Sequence, residues 1–297
     1  MGPTAVLILK WAAAALILLA LLYGGLVAIG AWRWKAATRV LVTRLDAAEV
    51  ADGALRHDAR DIADLPAPVR RYLGRVLTDG QPMIRSVDLE LSGLFNLSLD
   101  EPQWKPFTST QHVVANRPGF VWSGRIAMFP GVPVCVHDAY VAGTGVLRPA
   151  LFGLFSLGTV QGEGEIARGE LMRWLAESVW YPTVLLPGQG ITWQAVDDTS
   201  AQATLIDGPN TLTMVFRFGE DGLVTGIRVE ARGALVGGET VMMPWEGRFG
   251  DYRLQAGMML PFRGEVSWIT PQGERPYFRG TVMRVDYRFA TQETRTP

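Results

Sequence analysis

Between Trp11 and Trp32 the chain runs for 22 residues without a charge, as WAAAALILLALLYGGLVAIGAW. At about 1.5 Å per residue a helix of that length spans roughly 33 Å, the thickness of a bilayer's hydrocarbon core. A long helix buried in a soluble domain normally keeps one polar face, and this run has none. Trp11, Trp32 and Trp34 stand at its ends, where amphipathic rings favour the headgroup region. Lys10, Arg33, Lys35 and Arg39 bracket it with stems long enough to snorkel to the interface. Residues 1–34 therefore read as a single-pass transmembrane anchor. The rival is a cleaved secretory signal, for which Ala28-Ile29-Gly30 is a passable small-residue site. The apolar stretch of such a signal, about 7–15 residues, is shorter than this one.

The side of the membrane stays open. Arg33, Lys35, Arg39 and Arg44 outweigh Lys10, so the positive-inside rule favours a cytoplasmic domain. Long domains translocate largely regardless of that charge.

Lys plus Arg is 28 and Asp plus Glu is 29, which leaves no basic footprint for a nucleic acid. Cys135 is the single cysteine, so an intramolecular disulfide and a multi-cysteine metal site are excluded. The three histidines, His57, His112 and His137, are too scattered to build a metal centre, and no nucleotide loop or nucleophile elbow is present. No cofactor or metal is expected.

Helical spacing of Val40, Leu41 and Leu45 continues the anchor as a helix over 33–50, and residues 51–64 read as a polar linker. Residues 35–64 thus form a juxtamembrane helix and linker, followed by a single β-rich domain over 65–297. The domain opens on a short amphipathic helix, LPAPVRRYLGRVL, with Pro68 in its first turn. From Ile84 the period changes to two. Trp122, Gly124, Ile126 and Met128 share a face; so do Leu212, Met214, Phe216 and Phe218. Ile227, Val229 and Ala231 alternate with Arg228, Glu230 and Arg232; Met283, Val285, Tyr287 and Phe289 alternate with Arg284, Asp286 and Arg288. One helix interrupts the strands at 168–186, and Pro182 ends it near Trp180. Ten to twelve strands are expected. A sheet of that size must curl, close or split, which predicts an α+β fold: a curved antiparallel sheet or incomplete barrel covered by helices.

Several polar groups are candidates for a site, each with a plainer reading. Arg173 and Glu177 are spaced i,i+4 on the inserted helix, as a structural ion pair or as a hold on a ligand's polar head. Asp138 and Tyr140 share one face of a strand, as an acid–base pair or as an aspartate paired with an arginine. Glu246, Asp251 and Asp286 on late strands would serve hydrolysis only if the fold gathered them. Trp122, Trp174, Trp180, Trp193, Trp245 and Trp268 either line a cavity or fill a core.

The stretches LPAPVRRYL (65–73), FVWSGRI (120–126), RWLAESVWYPTVLLP (173–187), PWEGRFGDY (244–252) and GERPYFRGTV (273–282) resemble an uncharacterised bacterial family whose members are often membrane-anchored. That resemblance implies no activity and no catalytic residues. Residues 249–268 are similar to the late strands of periplasmic lipoprotein-carrier proteins, with Ala256-Gly257 where the carriers show an acidic residue and glycine. The likeness implies a half-open barrel with an apolar cavity for acyl chains, on the extracytoplasmic side.

Three functions are compatible with these features. The first is binding or carriage of a lipophilic ligand in the concave face of the sheet, with the bilayer and a lipophilic small molecule as partners. The second is a hydrolase or isomerase of a lipid-like compound using Glu177 or Asp138. The third is an envelope scaffold presenting a sheet edge or helix. Oligomeric state is not legible.

Overall fold

The computed structural model describes residues 2–50, 53–98, 100–237 and 239–291. Among them, fourteen strands form one antiparallel sheet, more than the turn signals alone predict. In chain order they are β1 (Ile84–Asn96), β2 (Trp104–Val114), β3 (Gly119–Phe129), β4 (Val132–Val141), β5 (Thr144–Leu151), β6 (Phe155–Ser156) and β7 (Val160–Gly162). After a helix come β8 (Ile191–Asp197), β9 (Ser200–Asp207), β10 (Asn210–Phe218), β11 (Val224–Val236), β12 (Glu239–Gln255), β13 (Met258–Thr270) and β14 (Gly273–Phe289). Neighbours in space are β6-β5-β4-β3-β2-β1-β14-β13-β12-β11-β10-β9-β8, with β7 beside β5. The chain is thus a meander whose first and last long strands meet in the middle, and the sheet curves without closing.

The open, concave side is covered by α3 (Glu165–Ala176), which links the two halves of the meander. The helix starts three residues before the expected 168. Its α-helical part stops at Ala176, a 3-10 turn carries it to Trp180, and Pro182 opens a second 3-10 turn. Leu171, Trp174, Leu175 and Val179 face the sheet and are fully buried. Each buried aromatic removes ~150–250 Å² from water, about 4–6 kcal/mol before entropy is counted. α2 (Ala67–Val76) buries Val69, Tyr72, Leu73 and Val76 in the same core and leaves Arg70, Arg71 and Arg75 outside.

The convex side carries α1 (Pro3–Ala47), one unbroken helix that contains the whole uncharged run. Its last third lies against β2, β3 and β4: Leu45 packs with Val114, Val121 and Ala139, and Trp34 packs on Cys135 and Ala150. His137 stacks on Trp34 with ring centroids 3.8 Å apart and bonds Thr38 through Nε2 at 2.8 Å. Burial, with Arg148 nearby, pushes the His137 pKa down to about 4, so the ring under α1 is neutral. Residues 53–64 are more structured than a linker. Asp58 and Asp61 form a capping box on a 3-10 turn over Ala59–Ile62, and Arg56 bridges Pro82. Ala51 and Asp52 of the expected linker lie outside the described residues.

Strict alternation breaks at β-bulges, and two of them overturn the expected facing of named residues. On β14 an extra residue between Val282 and Arg284 turns Met283 out to solvent and Val282 into the core. On β11 the register moves three residues, Val229 to Arg232, against two on β12, Trp245 to Met243. Ala231 is thereby exposed and Arg232 turned to the concave face, the reverse of the expected pattern.

Candidate functional site

The sheet and α3 do not fill the concave side. Between them lies a cavity of about 430 Å³, within the ~300–1,000 Å³ range of small-molecule sites. Its walls are apolar. β3 contributes Trp122, Ile126 and Met128, β4 contributes Val134 and Val136, and the late strands contribute Trp245, Phe249, Tyr277 and Phe278. Trp122 lies flat over Gly124, where an added Cβ would come within 2.0 Å of its ring, so the glycine makes room for that wall.

One polar cluster interrupts the apolar lining. The guanidinium of Arg173 donates from Nη1 to Asp138 at 2.6 Å, from Nε to Glu177 at 2.7 Å and from Nη2 to Gln111 at 3.1 Å. Gln111 in turn donates to Glu177 at 2.5 Å. Arg173 also lies 4.9 Å from the ring of Phe120 and 5.2 Å from that of Trp122. All three of its nitrogens are therefore engaged by the protein. Asp138 and Glu177 line the cavity but spend their charge on this arginine.

Glu170, one turn before Arg173 on α3, is 5% exposed. Burial, with the neighbouring Asp138 carboxylate, raises its pKa well above the ordinary range, so it holds its proton. Its Oε2 and Asp138 Oδ1 both lack a donor if both groups are ionised. A proton on Glu170 satisfies the pair as O–H donor and carboxylate acceptor.

Of the residues expected near a cavity, the structure brings together Trp122, Asp138, Arg173, Glu177, Trp180 and Trp245. Four lie elsewhere. Tyr140 is buried beyond the cavity and donates to Asp207 at 2.5 Å. Trp174 is fully buried, its indole N–H on the Val114 carbonyl at 3.2 Å. Trp193 packs edge-on against Phe216 and donates to the Leu185 carbonyl. Trp268, Trp245's register partner on the same face of the sheet, stacks on Tyr277 and lies outside the cavity lining. The three late carboxylates are not gathered: Glu246 pairs with Arg228, Asp251 with Arg253 and Asp286 with Arg284. Sequence reasoning missed Glu170, although its spacing from Arg173 and Glu177 puts all three on one face of α3. It also missed Arg232, which the bulge conceals.

The cavity opens at one end. Its most exposed lining residues are Leu97, just after β1, and Leu157, just after β6, at 40% and 58%. Beside them the strand ends expose Phe129, Phe155 and Val160. The same end touches α1 within its apolar run. The Tyr23 hydroxyl donates to the Gly131 carbonyl at 2.5 Å, and Tyr23 meets Phe152 edge-on. Gly30 sits so close to Phe152 that an added Cβ would stand 2.0 Å from its carbonyl oxygen.

Residues 63–287 match the profile of a family of unknown function, DUF6920. The chain belongs to that family. The stretches from LPAPVRRYL to GERPYFRGTV that carried the resemblance lie inside the matched region. No curated protein matches the sequence. Among the solved structures similar to this DUF6920 chain are two of differing description. One is a LolA superfamily protein, NE2245, from Nitrosomonas europaea, at 10% identity over 78% of this chain and 94% of that one, with a TM-score of 0.41. The other is a β-barrel-like protein of the domain of unknown function DUF1849 from Brucella abortus, at 14% identity over 72% and 99%, with a TM-score of 0.21.

Proposed function

We propose that this protein is anchored in a membrane by α1 and holds a lipophilic molecule, drawn from the adjoining leaflet, in the cavity under α3. The observation that carries this reading is the position of the mouth. With Trp11–Trp32 in the bilayer, Tyr23 and Gly30 lie in the leaflet next to the domain, and the strand ends that touch them enter it too. Phe129, Phe155 and Leu157 at those ends are more than half exposed, which is costly in water and favourable in lipid. A tail then passes from lipid to cavity along a continuous apolar path.

The experiment is native mass spectrometry of the full chain extracted in a mild detergent, followed by lipid analysis of the released mass. The expected result is one bound lipophilic molecule per chain. A Val136→Trp variant, which places an indole in the cavity, should fold and lose it. A wild-type chain that carries no such molecule, or a variant that carries it equally well, would overturn the reading.

A further inference from the structure

We infer that the occupant is an amphiphile with an oxyanion at one end of its tail, and that Arg232 is the residue that receives that head. This rests on the cavity holding a lipophilic molecule and adds the chemistry of its polar end. Arg232 is 8% exposed and forms part of the cavity wall. Its guanidinium lies 4.4 Å from the Trp245 ring and 5.9 Å from that of Trp268. It makes no hydrogen bond and no ion pair among the described residues, and its Nη1 is buried without a partner. A desolvated guanidinium with unmet donors is unfavourable, and contact with ring faces offsets only part of that. The same fork of N–H groups matches a carboxylate or phosphate two atoms at a time.

Three further features agree. The bulge on β11 turns Arg232 inward where plain alternation would leave it in solvent, and bulges beside binding sites re-aim side chains in this way. Arg173 is occupied by Asp138, Glu177 and Gln111, so it neutralises those carboxylates and is closed to a ligand. Glu170 lies within reach of the Arg232 charge but keeps its proton, because burial and the Asp138 carboxylate outweigh that charge, and so it does not repel an incoming anion. The two arginines thus divide the work: one balances the protein's own acids, and the other is left with a free positive charge.

The test uses the full chain in an uncharged detergent and three brominated probes of equal tail length: a carboxylate, a monophosphate and a neutral alcohol. Trp122, Trp180 and Trp245 line the cavity, so a bound tail quenches tryptophan emission. The carboxylate or the phosphate should half-quench at a concentration at least ten-fold below that of the alcohol, and which of the two does so identifies the head. Arg232→Met should abolish the difference while the alcohol still quenches. Arg232→Lys, which keeps the charge but not the fork, should retain part of it. Equal quenching by all three probes in the wild type, or an unchanged preference in Arg232→Met, would overturn the assignment and leave the lipophilic cavity standing. No quenching by any probe would remove both.

Discussion

Arg173 is held by three polar side chains and two ring faces, and the stability of the concave side depends on it. Its removal leaves Asp138 and Glu177 half-buried without a counter-charge, the situation in which a broken pair costs about 3–5 kcal/mol. Arg173→Met should therefore lower the denaturant midpoint sharply, whereas Glu170→Gln, which mimics a group already neutral, should leave it nearly unchanged at low pH. The two forms then part as pH rises. The folded protein keeps Glu170's proton while the unfolded chain releases it near the ordinary value of 4.5. The native state binds more protons over that window, so its stability falls with rising pH. Glu170→Gln should remove that decline, and parallel wild-type and variant profiles above pH 4.5 would show that Glu170 is ionised in the native state. At this scale the sequence was half legible. The spacing of Glu170, Arg173 and Glu177 puts them on one helix face, but nothing in the residues around 229–232 announces the bulge that turns Arg232 inward.

The element that decides the architecture is α1. Hydrophobic length made its first part legible and helical spacing its second, but neither says that the two form one rod bonded to the sheet. That contact depends on tertiary detail: a glycine at 30 thin enough to meet Phe152, a tyrosine at 23 that reaches Gly131, and Trp34 lying on His137. Cys135 reports on it directly. The thiol is buried under Trp34, and burial raises its pKa, so it is slow to react while α1 is seated. Trp34→Ala should speed maleimide labelling of Cys135 by an order of magnitude or more with little change in the sheet's far-ultraviolet spectrum. Labelling at the wild-type rate would show that the helix does not cover this face. The strands were legible wherever one face is simply buried, as in β10, where Leu212, Met214, Phe216 and Phe218 all point inward. They were not where an extra residue slips in, as at Met283.

For the whole molecule, the arrangement is a half-open sheet closed on one side by α3 and fixed on the other to α1, whose uncharged run has bilayer length. Curvature followed from strand number, since so long an antiparallel meander cannot stay flat. The cavity did not, because the tryptophans that line it and those that fill the core have the same pattern in the sequence. Trp180 and Trp174 sit on one short segment and end in different environments. What joins the fold to the proposed function is that the hollow and the apolar run of α1 meet at one end of the domain. The most direct measurement is photo-crosslinking of the full chain in vesicles that contain a lipid with a diazirine near the end of its acyl tail. Adducts are expected inside the cavity, on Met128, Val136 and Trp180, alongside those on the exposed run of α1. Adducts confined to α1 and the exposed strand ends, with none on the cavity wall, would contradict it.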